Sequence, residues 1–137
     1  MSGKKHGSPL RAAARPMLAS LFIMAGVDVL KNMEPRVQAV EEFLVKMRSY
    51  APFLPKDDAT LVKANAIVHI AAGSALAANI MPRISSIVLA GSLVPTTVGA
   101  HHFWDLEDPK AKGMQRTQFL KNLAIAGGLI FVAGSDA

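Results

Sequence analysis

Residues 64–102 read ANAIVHIAAGSALAANIMPRISSIVLAGSLVPTTVGAHH, with a single full charge, Arg83, in the whole stretch. Crossing a hydrocarbon core of about 30 Å takes roughly 20 helical residues. Residues 64–82 and 84–102 each come close to that length unaided. Pro82 and Arg83 leave only a very short break between them, since a proline disfavours helix in the residue before it. Two long apolar segments joined so tightly pack back on one another as antiparallel helices. The stretch therefore predicts a helical hairpin inside a membrane.

Working outward, residues 16–27 and 122–135 form two more uncharged runs, which reach span length once snorkelling Arg15, Lys31 and Lys121 are counted at their ends. Four such runs in 137 residues predict an all-α fold: an integral membrane four-helix bundle with spans at about 15–31, 61–81, 83–101 and 118–135. Residues 1–14 are then a basic cytoplasmic tail and 15–137 a single four-span domain. Composition agrees, with 51% apolar and 18% charged residues against about 25% charged in soluble domains. Pro16 suits the first turn of its helix, where a missing N–H is harmless. Pro95 lies inside the third run and is expected to kink it or unwind its end. Gly73, Ala71, Ala75 and Ala78 in the second span, and Gly127, Gly128 and Gly134 in the fourth, permit close helix contact.

Two longer connections remain. In residues 32–59, Val37, Val40, Leu44 and Met47 recur at helical spacing against Arg36, Glu41, Glu42, Lys46 and Arg48. This predicts an amphipathic helix in the first long loop, lying on the membrane or across the bundle mouth. A plain solvated linker helix is the alternative. Asp57, Asp58 and Thr60 are placed to cap the second span. The other connection, 101–117, includes an acidic then basic loop from Asp105 to Arg116.

The net charge of +5 comes largely from Lys4, Lys5, Arg11 and Arg15. A basic segment before an apolar run suits an anionic cytoplasmic leaflet, and Arg83 marks the hairpin on that same side, so both termini are expected in the cytoplasm. A cleaved signal peptide is a rival account of the first run, but no convincing small-x-small site supports it. No aromatic residues interleave with the basic ones, which argues against nucleic acid. The absence of cysteine excludes a disulfide, a thiolate metal site and a cysteine nucleophile.

Alternating helices place most polar residues at one membrane face. Asp28 closes the first span, Asn65 and His69 open the second, His101, His102 and Trp104 end the third, and Gln118 and Asn122 begin the fourth. On the second span Asn65, His69, Ala72, Leu76 and Asn79 form one narrow stripe suited to the bundle interior. These eight polar residues are the candidate ligand or partner surface. Each also has a structural explanation. Asp28 could pair with Lys31, and His69 could bond an Asn or a carbonyl across the helices. His101 and His102 could cap the third helix, Trp104 could be an interfacial anchor, and Gln118 and Asn122 could be caps or bridges. The functional readings are a docking rim, a quinone whose oxygens accept hydrogen bonds from His69, His101 or Asn122, or a transition metal. The separated positions form no metal-spacing motif. A transporter fits less well, because only one membrane half carries polar groups.

Leu18-Ala19-Ser20-Leu21-Phe22-Ile23-Met24-Ala25-Gly26 with Asp28 and Leu30, the small-residue span around Gly73, His102-Phe103-Trp104, Gln118-Phe119-Leu120-Lys121-Asn122-Leu123-Ala124 and Gly127-Gly128 together resemble the DoxX family of small four-helix bacterial membrane proteins. The resemblance runs from about Arg15 to Asp136, and is most specific in its last portion. It implies a multi-pass protein of the bacterial plasma membrane and a link to redox assemblies. The family name comes from a subunit tied to thiosulfate oxidation with quinone as acceptor. Actinobacterial relatives associate with a membrane oxidoreductase assembly containing a superoxide dismutase and a sulfurtransferase. No catalytic residue set comes with the family. The expectation is thus an accessory subunit that anchors or organises a respiratory or redox-stress complex, with a quinone-coupled oxidoreductase subunit as the alternative.

Overall fold

A computed structural model describes residues 8–135. Five helices follow one another: α1 (Pro9–Lys31), α2 (Met33–Tyr50), α3 (Asp58–Ala77), α4 (Pro82–Ala100) and α5 (Pro109–Gly134), with a 3-10 turn at Phe103–Asp105. Four of them, α1, α3, α4 and α5, are long and apolar enough to cross a membrane. The fold is an all-α membrane bundle.

Contacts between helices fix their register. Gly26 of α1 lies against Ala66 and Ile70 of α3, while Gly73 of α3 lies against Ala19, Phe22 and Ile23. Numbers rise on one helix as they fall on the other, so the pair is antiparallel. Asn65–Thr96 ties α3 to α4, and Asn122–Thr97 and Arg83–Ala133 tie α5 to α4, in the same antiparallel sense. Ala19, Phe22, Leu76, Leu89, Leu93 and Leu129, drawn from all four long helices, make one buried cluster. Met17, Met24, Ile67, Ile87, Val94, Leu123 and Ile130 stay exposed outside, whereas His69, Ser85, Ser86, Thr97 and Asn122 are buried. Large apolar side chains outside and polar ones inside suit lipid as solvent, where helices associate by close packing and interhelical hydrogen bonds.

Helix α2 lies across one end of the bundle. Val40 and Leu44 pack with Val62 of α3, and the Phe43 ring sits on Gly99 of α4. Its C-terminal end is tethered to the start of α3: Arg48 Nη2 bonds Asp58 Oδ1 at 2.5 Å, and Arg48 Nε donates to the Pro55 carbonyl at 2.9 Å. Asp57 caps α3, its carboxylate accepting from the Thr60 N–H and hydroxyl. That hydroxyl bond, chiefly, holds the Asp57 carboxyl below its usual pKa.

Several boundaries differ from the expected ones. Helix α1 begins at Pro9, so Arg11 and Arg15 are helical and Pro16 stands in the helix interior. Pro9 itself takes the first-turn position. Lys4 and Lys5 lie outside the described residues. Helix α3 stops at Ala77, short of residue 81, because Asn79 adopts a left-handed φ of 58°. The Ile80 N–H reaches the Ala75 carbonyl and the Asn79 N–H the Leu76 carbonyl, a Schellman closure in which asparagine stands where glycine is usual. Asn79 thus belongs to the turn rather than to the polar stripe. Helix α4 continues through Pro95 to Ala100 without unwinding its end. The Thr96 hydroxyl donates to the Ser92 carbonyl one residue along from the Gly91 carbonyl that Pro95 leaves without its helical donor. Helix α5 starts at Pro109, not near 118, because Asp108 accepts from the Ala111 N–H at 2.8 Å and Pro109 follows as the first helical residue. The loop expected to reach Arg116 is therefore mostly helix. Of the glycines in α5, only Gly128 meets another helix, at Leu18; Gly127 and Gly134 face open space.

Candidate functional site at the bundle mouth

Where α2 crosses the bundle it leaves a cavity of about 110 Å³ between α1, α2, α3 and α4. Val29, Val40, Phe43, Val62 and Pro95 supply apolar walls, and Arg36, Asn65, His69 and Thr96 the polar groups. Helical spacing puts Asn65 and His69 one turn apart on the inner face of α3. His69 is only 6% exposed. The Phe22 ring meets its imidazole edge-on at 5.2 Å between centroids. Its Nε2 is buried without a hydrogen-bond partner. The expected bond from His69 to an Asn or carbonyl is thus missing at that nitrogen. A buried, unsatisfied polar atom costs about 1–3 kcal/mol, so the bundle carries this imidazole at a disadvantage unless something bonds to it.

The asparagines are satisfied instead by two adjacent threonines. Asn65 Nδ2 donates to Thr96 Oγ1 and Asn122 Nδ2 to Thr97 Oγ1, both at 3.0 Å. These bonds clamp α3 and α5 to the two sides of α4.

The remaining candidates do not join this cavity. His101 Nδ1 pairs with Gln115 Oε1 at 2.7 Å, holding the end of α4 to α5. His102 Nδ1 donates to the Gly99 carbonyl at 3.0 Å, closing the last turn of α4 as a capping residue does. Trp104, 48% exposed, meets Phe103 and Phe119 edge-to-face at 5.4 and 5.9 Å. His102 and Trp104 line a second, open groove of about 450 Å³ with Glu42, Lys46, Met47 and Tyr50 of α2. Asp28 is exposed and forms no ion pair with Lys31; it borders a shallow groove with Asn32 and Arg36. Gln118 accepts locally from Lys121 at 2.5 Å. The eight candidates share one end of the bundle but divide into an inner cavity (Asn65, His69), an aromatic outer groove (His102, Trp104), two α4–α5 ties (His101, Asn122) and the surface positions Asp28 and Gln118. Among the described residues no three His, Asp or Glu side chains gather as a metal would require.

Arg36, Thr96, Thr97 and Gln115 belong to these arrangements but are not among the eight candidates, Arg36 having been read only as part of the polar face of α2. The threonine pair had a usable signal. Antiparallel helices bring Thr96 and Thr97 to the depth of Asn65 and Asn122. Arg36 had none, because only the fold turns that position of α2 toward the cavity.

No curated protein and no solved structure matches the chain. The DoxX family model matches residues 10–102, from the start of α1 through α4 to His102. The portion from Phe103 to Gly128, where the resemblance looked most specific, falls outside that match. Family membership rests instead on the first three spans and the amphipathic helix between them, and on those the chain belongs to the DoxX family.

Proposed function

We propose that this multi-pass protein is an accessory membrane subunit of a respiratory or redox-stress assembly, and that it holds the head of a quinone-class molecule beneath α2. The observation that carries this reading is the buried His69 with an unpartnered Nε2 in the wall of a cavity that also presents Arg36, Asn65 and Thr96. Imidazole, guanidinium and amide donors suit carbonyl oxygens, while the apolar walls suit a ring. When bound, such a molecule would accept and release electrons; the protein's share is to orient it and to exclude water. The cavity is smaller than the roughly 150 Å³ that admits benzene, so a ring entering there displaces Val40 and Phe43 of α2. The protein would reside in the bacterial plasma membrane with both termini cytoplasmic, as the Arg11, Arg15 and Arg83 side of the bundle favours.

Protein purified from its native membrane in mild detergent should retain a quinone detectable by solvent extraction and absorbance. His69→Phe should lower that retention by about tenfold, the equivalent of one hydrogen bond to a buried partner, with helical content unchanged. Quinone no higher than in an unrelated four-span protein, or undiminished in His69→Phe, would sink the ligand assignment. A subunit-docking role at the same end is favoured by Tyr50, 83% exposed at the rim of the groove that also holds Trp104. Recovery of the isolated bundle alone in a mild-detergent pull-down would count against it.

A further inference from the structure

The opposite end of the bundle carries a pocket of different chemistry. The start of α1, the start of α4 and the end of α5 enclose a groove of about 220 Å³ in which Arg11, Arg15 and Arg83 stand beside Leu10, Phe131 and Val132. Three arginines from two helices meet there, and among the described residues no acidic side chain lines the groove. Two of them carry the inference. Arg83 is held in place by its Nε, which donates to the Ala133 carbonyl at 2.9 Å, leaving its terminal nitrogens to other acceptors. Arg15 is partly buried, and its Nε is fully buried with no hydrogen-bond partner. A charged donor removed from water in this way calls for an anion. The rest of the groove is apolar, and Leu10 and Phe131 stand largely exposed beside it.

We infer that this groove binds an anionic phospholipid, with its phosphate on Arg15 and Arg83 and an acyl chain along Leu10, Phe131 and Val132. Planar guanidinium groups match phosphate oxygens two at a time. Basic pockets between membrane helices capture anionic headgroups by the same means. A free phosphate would use the arginines alone and leave the apolar wall idle, whereas a phospholipid uses both halves. The inference is independent of the quinone reading, which concerns the other end of the molecule.

The test is native mass spectrometry of the full chain in detergent, doped in turn with phosphatidylglycerol, phosphatidylcholine, inorganic phosphate and glycerol phosphate. Wild type should hold phosphatidylglycerol over phosphatidylcholine by at least about fivefold, the scale of a single arginine at an anionic surface. Arg15→Gln with Arg83→Gln should erase that preference. Phe131→Ala should weaken phosphatidylglycerol and leave any phosphate binding unchanged. Equal retention of the two lipids by wild type would overturn the proposal. So would displacement of the lipid by equimolar inorganic or glycerol phosphate, which would make the groove a site for free phosphate. Should the arginine pair prove necessary for folding, the wild-type comparison and Phe131→Ala still decide the matter.

Discussion

At Gly26 the two best-packed helices come so close that a side chain has no room. A Cβ there would stand 2.7 Å from the Ala66 carbonyl oxygen and 2.7 Å from Ile70 Cγ1. The isoleucine can turn away, but the carbonyl is backbone and cannot. Gly26→Ala should therefore push α1 off α3 and destabilise the bundle by about 1–3 kcal/mol, the usual cost of overpacking. Gly127 is the control, since a Cβ there meets nothing within 4 Å. Gly127→Ala should be neutral or stabilising by up to about 1 kcal/mol, because alanine favours helix over glycine. Thermal unfolding of both variants in one detergent checks the pair, and a Gly26→Ala protein as stable as wild type would contradict the close approach. Asp57 offers a pH-dependent counterpart. Its carboxyl is held below the ordinary carboxylate pKa, chiefly by the Thr60 hydroxyl. A group whose folded pKa is depressed stabilises the protein above its unfolded pKa and loses that contribution as pH falls through the folded value. The melting temperature difference between wild type and Asp57→Asn should thus be present at neutral pH and shrink as acid protonates the cap. A difference that does not change on acidification would show that the charge plays no part in the cap.

Element by element, the four membrane crossings and the amphipathic α2 were legible because each rests on a pattern the chain displays: uncharged length for the spans, and a 3.6-residue period in Val37, Val40, Leu44 and Met47 for α2. Helix ends were less legible because they rest on capping groups that compete with composition. Lys110, Lys112 and Arg116 read as loop, yet Asp108-Pro109 starts α5 ahead of them. An N-cap followed by proline outweighs the solvated charges, which a helix beyond the membrane tolerates easily. Asn79 shows the reverse failure. Its spacing from Asn65 fits a helical stripe, but two bonds closing the turn after α3 take it out of the helix. Asn79→Ala should consequently cost about 1–2 kcal/mol, the penalty for a left-handed side chain without asparagine's local bonding, while Asn79→Gly should be tolerated. Unfolding midpoints of the two variants that coincide would remove the Schellman closure from the account. At the mouth, the sequence placed the polar residues at one end but could not divide them, because the division depends on which side chain finds a threonine, a glutamine or a carbonyl across a helix boundary.

For the molecule as a whole, the polar pattern has two ends with unlike chemistry. The mouth under α2 presents histidine, amide and hydroxyl groups with the single arginine Arg36 around a small cavity, whereas the opposite end gathers Arg11, Arg15 and Arg83 beside apolar walls. A bundle with spans α1, α3, α4 and α5 and a short α3–α4 turn puts that turn on the same side as the start of α1, and the α2–α3 connection on the other. The chain has no cysteine, so single introduced thiols report accessibility without background. Phe53→Cys, in the connection after α2, and Met81→Cys, in the α3–α4 turn, should react with a membrane-impermeant maleimide from opposite sides of the membrane. If arginine density sets the orientation, Cys at 53 reacts in intact cells and Cys at 81 only after permeabilisation. Reversal of the two would invert the topology while keeping four spans, and would move the arginine groove to the outer leaflet. Reaction of both from one side would require α3 not to cross, which the antiparallel contacts of Gly26 with Ala66 and of Asn65 with Thr96 oppose.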